Sequence, residues 1–155
     1  MKRLNATALI APCGMNCGIC MAYLREKDHC PGCRAEPAFK PASCVRCRIL
    51  NCDLIRTGRA RFCLERDDKP CQRLKDLDKR YRTKYNMSML ENLAAIRRSG
   101  IRKFAAEEKR RWTCRKCGGT INVHRAVCSE CGEGAEKPSS TRSTQTQRQR
   151  RRSFG

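Results

Sequence analysis

Fourteen cysteines in 155 residues leave this chain few ways to fold. Ten of them fall into five pairs with two residues between: Cys17/Cys20, Cys30/Cys33, Cys44/Cys47, Cys114/Cys117 and Cys128/Cys131. A two-residue gap lets both sulfurs leave one tight turn on the same side, the knuckle spacing of thiolate metal sites. The rival use of so many cysteines is a secreted disulfide scaffold, which needs an export signal. The start, MKRLNATALIAPC, is basic, but Asn5 and Thr7 break its apolar run, and Pro12 before Cys13 suits a lipoprotein cleavage site poorly. No stretch approaches the ~20 apolar residues of a membrane span. The expectation is a cytoplasmic protein with reduced thiols and no membrane segment. With 39% hydrophobic and only 5% aromatic residues, its core is thin, and bound metal is expected to supply the missing stability.

The most specific pattern lies near the C-terminus, WTCRKCGGTINVHRAVCSECGEG. It reads C-x2-C-x10-C-x2-C with a glycine after each pair. The glycines permit the backbone conformation that turns main-chain amides toward the sulfurs. Thr120 to Val127 suits a short hairpin carrying Ile121, Val123 and Val127, with His124 as a strand residue. The expected unit is a zinc ribbon with Cys114, Cys117, Cys128 and Cys131 as ligands; iron in a rubredoxin-like site is the alternative, since four thiolates accept either metal.

Residues 13 to 71 hold the other ten cysteines, and Pro31, Gly32, Pro37, Pro41 and Gly58 interrupt long regular elements. The opening Cys13-x3-Cys17-x2-Cys20 matches the spacing that holds an iron–sulfur cluster in radical-SAM enzymes. Such a cluster takes three protein ligands inside a barrel of ~250 residues, and 155 residues do not supply one. Cys17-x2-Cys20-x9-Cys30-x2-Cys33 instead nearly repeats the terminal spacing and forms a natural four-thiolate set. Cys44, Cys47, Cys52 and Cys63 form the next. Cys13 and Cys71 are left to exchange into a neighbouring site, to meet each other, or, for Cys71, to be a small buried apolar side chain. His29 beside Cys30 is a further candidate ligand. About three zinc ions per chain result, with iron or an iron–sulfur cluster as the alternative.

From Pro70 to Trp112 the pattern turns helical. Leu74, Leu77, Tyr81 and Tyr85 recur at steps of three and four. Ser88 with Glu91 three residues on makes a capping box, and Leu90, Leu93, Ala94 and Ile96 are expected to face inward. Gly100 ends that helix, with Ile101 folding back on its last turn. A third helix over about 102–111 turns Phe104 and Ala105 inward. Two short helices joined tightly resemble a helix-turn-helix whose Arg97, Arg98 and Arg102 lie on phosphates. The plainer reading is a helical linker with a solvated charged face.

The formal charge is +20, distributed as +6 over residues 1–71, +8 over 72–112, 0 over 113–136 and +6 over 137–155. Three zinc–tetrathiolate sites, each of net charge −2, would lower it to roughly +14. Such a surface attracts polyanions, nucleic acid above all, without conferring specificity. The tail, rich in Ser, Thr, Gln and Arg, cannot bury enough surface to fold alone; Arg148, Arg150, Arg151 and Arg152 make it a basic clasp for nucleic acid or a solubilising end.

CGMNCGICMAYL, CPGCR, CVRCRILNC, GRARFC and KPCQRL, in this order, resemble the bacterial and archaeal cysteine-rich family known as domain of unknown function 3795. RYRTKYNMSMLENLAAIRRSGIRKF and WTCRKCGG resemble the helical segment and terminal ribbon of many of its members. The resemblance runs from about Cys13 to Cys131 and implies fold and metal binding rather than a mechanism. Where the family often carries a further cysteine after a two-residue gap from Cys63, this chain has Arg66.

The expected fold is a small metal-organised α+β protein. It comprises a loop-rich cysteine-cluster domain over 1–71, a short helical segment over 72–112, a zinc ribbon hairpin over 113–136 and a disordered basic tail over 137–155. The expected function is a zinc-binding adaptor contacting nucleic acid, a ribonucleoprotein or a protein partner. The alternative is an iron–sulfur carrier or thiol-based oxidation sensor. No catalytic residue is expected: the chain shows no nucleophile with base and orienting group, no phosphate-cradling glycine loop and no mixed His and carboxylate metal set.

Overall fold

The computed structural model describes residues 5–65 and 70–135. Among them are six helices and one two-stranded sheet, a small α+β arrangement. The N-terminal part is mostly loop, punctuated by three helices of four residues: α1 (Met21–Leu24), α2 (Ala42–Val45) and α3 (Asp53–Arg56). Prolines set some of the breaks. Pro37 opens a 3-10 turn, Pro37–Phe39, and Pro41 precedes α2, where a ring-locked φ and a missing N–H cost nothing.

The longer helices follow as a sequential stack, α4 (Gln72–Tyr85), α5 (Met89–Ser99) and α6 (Ile101–Arg111). The predicted stripe of α4 faces the core: Leu74 is fully buried, and Leu77, Tyr81 and Tyr85 pack against the same cluster. Asn86 ends α4 in the left-handed conformation, φ 51° and ψ 41°, which asparagine tolerates better than most residues. Ser88 caps α5 as expected, its Oγ accepting the Glu91 N–H at 3.1 Å. One inward position differs from the sequence reading: Ala94 is exposed and Ala95 is buried, because α5 turns Met89, Asn92, Leu93 and Ile96 inward and so takes Ala95 with them. Gly100 has φ 82° and serves both as the last cap of α5 and as the start of α6. Phe104 and Ala105 are buried as predicted.

The sheet is a hairpin of β1 (Ile121–Asn122) and β2 (Val127–Cys128), paired antiparallel with Ile121 opposite Cys128 and Asn122 opposite Val127. His124 therefore lies in the connecting turn and not in a strand. The Asn122 side chain closes that turn by accepting the His124 and Arg125 N–H groups at 2.9 and 3.3 Å. Asn122 is itself only 7% exposed, so a turn-forming amide occupies an inward strand position.

One contiguous core draws on all three segments. Ile10, Ile19 and Phe62 meet Leu74, Met89, Leu93 and Phe104, with Trp112 and Val123 closing the hairpin end. Each such large side chain contributes roughly 1.5–3 kcal/mol on burial. Main-chain bonds knit the ends together: Val123 N–H donates to Ile19 O at 3.0 Å, and Ile121 N–H to Trp112 O at 2.8 Å. No helix of the described residues is long and apolar enough to cross a membrane. The tail, including Arg148, Arg150, Arg151 and Arg152, and Arg66 lie outside the described residues.

Candidate metal centre

The two terminal knuckles are the same turn made twice. Gly118 N–H donates to Cys114 O at 2.9 Å, and Gly132 N–H to Cys128 O at 3.1 Å. Cys114 N–H then donates to Gly119 O at 2.7 Å, and Cys128 N–H to Glu133 O at 2.9 Å. Gly118 and Gly132 stand at φ 77° and 71°, a region a side chain would resist. Each turn thus projects two sulfurs, and the hairpin register lays one pair over the other.

The result is a four-sulfur shell. Sγ of Cys114 is 3.8 Å from that of Cys131, and Sγ of Cys117 is 3.5 Å from that of Cys128. All four donor atoms lie within 4.8 Å of one another, and among the described residues no other three His, Cys, Asp or Glu side chains do so. Four cysteine sulfurs gathered this closely can hold one metal ion, and the donor set suits zinc or iron. Cys114 and Cys128 are buried, while Cys117 and Cys131 are exposed, so an ion would have one face toward solvent.

No family model, no curated protein and no solved structure matches the chain. The chemistry of the site follows from its own electrostatics. The Cys117 and Lys116 main-chain amides pull the Cys114 thiol down to about 7. Against the pull of the Gly119 amide, the thiols of Cys131 and Cys128 drive Cys117 up to about 12. One sulfur is ready to ionise and its neighbour resists a second negative charge. A cation at the centre removes that conflict, since it binds thiolates and not thiols.

Glu130 is a participant that spacing did not reveal. Its Oε2 accepts the Thr120 N–H at 2.7 Å and stands 3.5 Å from Sγ of Cys128. A Cβ at position 119 would run into that carboxylate, so the second of the paired glycines at 118 and 119 marks where the acid lies. Lys116 and Glu133 form an exposed ion pair across the two knuckles, of the kind worth little on its own.

None of the ten N-terminal cysteines is joined in a disulfide. Burial, first of all, pushes Cys17 up to about 12, Cys33 up to about 11 and Cys13 well above the ordinary range. The Cys33 N–H donates to Sγ of Cys17 at 3.3 Å. After burial, charge on Cys47 and Cys44 adds to the rise at Cys33, and charge on Cys30 adds to that at Cys44. Cys52, Cys63 and Cys71 line one cleft of about 550 Å³ together with Ile49, Phe62 and Arg73. Cys71 is also the residue at the start of α4. His29 rests its ring on Tyr23, centroids 4.9 Å apart. Arg97 and Arg98 end α5 and Arg102 begins α6, all three exposed at the Gly100 corner.

His124 acts between segments. The Met21 N–H donates to its Nδ1 at 3.4 Å, which makes Nδ1 the acceptor and leaves Nε2 to carry the proton toward the Tyr81 hydroxyl at 3.1 Å. Tyr85 packs edge-on against the same ring, centroids 4.8 Å apart. Burial lowers the His124 pKa, and desolvation raises that of Tyr81, so both stay neutral near pH 7.

Proposed function

We propose that the chain is a zinc-binding adaptor whose terminal hairpin is a zinc ribbon and whose basic surface contacts nucleic acid or a ribonucleoprotein through phosphates. The observation that supports the metal reading is the four-sulfur shell of Cys114, Cys117, Cys128 and Cys131. Four thiolates fill a tetrahedral ion and leave no open position for water or substrate, so the ion organises structure and performs no hydrolysis. The partner reading rests on the +20 formal charge and on the exposed Arg97, Arg98 and Arg102, to which the tail arginines would add.

The test has two arms. Elemental analysis of anaerobically purified protein should find zinc; iron with inorganic sulfide would move the reading to a redox protein. In the second arm, the metal-loaded chain is titrated with single- and double-stranded nucleic acid at several salt concentrations. Affinity should fall steeply with salt, and replacing Arg97, Arg98 and Arg102 by alanine should flatten the log–log slope by about one unit for each phosphate no longer neutralised. Absence of binding at low salt removes the nucleic-acid half and leaves the metal half standing.

A further inference from the structure

Glu130 lies between the two cysteines of the second terminal knuckle, and its side chain is turned back toward the hairpin and the sulfurs. Its Oε2 accepts the Thr120 N–H at 2.7 Å and the Cys128 thiol at 3.5 Å. Its Oε1 is 2.9 Å from the Ser129 hydroxyl, which also reaches Thr120 O at 2.9 Å. Gly119 makes room for this arrangement: a Cβ there would run into the Glu130 carboxylate and come within 3.0 Å of Sγ of Cys128. The missing side chain at 119 thus admits an acid to the edge of the shell. Among the described residues Glu130 forms no ion pair, and the nearby Lys116 pairs with Glu133 instead.

An ion entering the shell turns this neighbour from a partner into an opponent. Without an ion, the Cys128 thiol donates its hydrogen to the carboxylate. An ion binds thiolates and not thiols, so that hydrogen leaves for solvent with those of the other sulfurs, and four thiolates around Zn²⁺ carry a net charge of −2. Oε2 then faces a thiolate with no proton between them. The unfavourable contact arises only in the loaded state, so it lowers affinity for the ion. Glu130 is exposed, and water screens part of the repulsion.

We propose that Glu130 weakens the hold of Cys114, Cys117, Cys128 and Cys131 on their ion, which makes the terminal site one that releases zinc readily. The inference rests on the reading of this shell as a zinc site and adds what regulates it.

Glutamine at position 130 separates charge from shape. The Ser129 hydroxyl has one hydrogen for its two acceptors. With an amide NH₂ in the place of Oε1, it donates to Thr120 O and accepts from the amide, while the amide oxygen in the place of Oε2 keeps the Thr120 N–H. The experiment is competition of the anaerobically purified, zinc-loaded full chain against a chromophoric chelator, with Cys114→Ser and Cys131→Ser together identifying the terminal ion. Glu130→Gln should hold that ion roughly three- to tenfold more tightly than the parent and surrender it more slowly to excess chelator. Glu130→Ala leaves the Thr120 N–H to water and should shift affinity in the same direction, so the outcome does not hang on one variant folding. Glu133→Gln removes an equal charge from beside the same knuckle, but one already paired with Lys116, and should change affinity less. Equal or weaker binding by Glu130→Gln, or equal tightening by Glu133→Gln, would overturn the proposal while leaving the zinc site standing. A parent chain that takes up no zinc at these four cysteines removes the zinc reading and this inference together, and that failure is seen before any variant is compared.

Discussion

Gly14 shows how one residue ties the cysteine loops to the helices. It sits at φ 88°, and a Cβ there would lie 2.9 Å from Leu93 Cγ and 3.0 Å from the Met89 carbonyl oxygen. Its own carbonyl accepts the Asn92 side-chain N–H at 3.0 Å. Alanine at this position combines a strained backbone with a clash against α5, and Gly14→Ala should cost about 3 kcal/mol, read as a lower urea midpoint. His124 gives a pH-dependent counterpart. Its folded pKa is lowered from 6.5 by burial, so its contribution is present above the unfolded pKa and is lost as pH falls through that value toward the folded one. His124→Phe keeps a ring against Tyr85 without a titrating group. The difference in melting temperature between the parent protein and this variant should therefore shift in favour of the variant as pH falls below 6.5. A difference independent of pH would contradict the role of the neutral ring.

Between elements, Asp78 is the joint of α4 and α5. It is 5% exposed, accepts the Ser88 hydroxyl at 2.6 Å and the Leu90 N–H at 3.1 Å, and pairs with Arg82 Nε at 3.0 Å. Arg82 is half-exposed, so solvent screens that pair and the two bonds to α5 carry most of the effect. Asp78→Ala should lower stability by about 2–4 kcal/mol, with Arg82→Ala costing less; equal losses would place the weight on the ion pair. Asp78 also marks a limit of sequence reading. The apolar stripe on α4, the Ser88 cap and the Gly100 corner all depend on local rules, and they stand in the structure where those rules put them. A buried carboxylate is recognisable only through partners ten and twelve residues away, and nothing local distinguishes Asp78 from a solvated acid. The same holds for the cysteines. The terminal pairs have one possible mate each, so their shell was legible. The N-terminal pairs have several possible mates at similar gaps, so spacing along the chain does not single out one set.

For the whole molecule, the proposed metal ion and the apolar core are expected to depend on each other. A structural zinc–thiolate site contributes roughly 10–16 kcal/mol of apparent binding energy, while a domain's net stability is about 5–15 kcal/mol. The apolar cluster draws on the N-terminal loops, the helices and the hairpin alike. Chelation under reducing conditions should therefore lower the melting temperature of the entire chain in one transition, followed by circular dichroism, with the α4–α6 helical signal vanishing along with the hairpin. Retention of the original melting curve would show that the apolar cluster suffices by itself.

The main-chain bond from Val123 to Ile19 has a practical corollary for anyone tempted to treat the last hairpin as a portable cassette. Excised, it would leave an orphaned carbonyl in the cysteine loop and strip His124 of its seat beside Met21 and Tyr81. A grafted copy would arrive without the scaffold that orients its turn, so transplantation should carry the knuckles but not the pose in which this protein presents them.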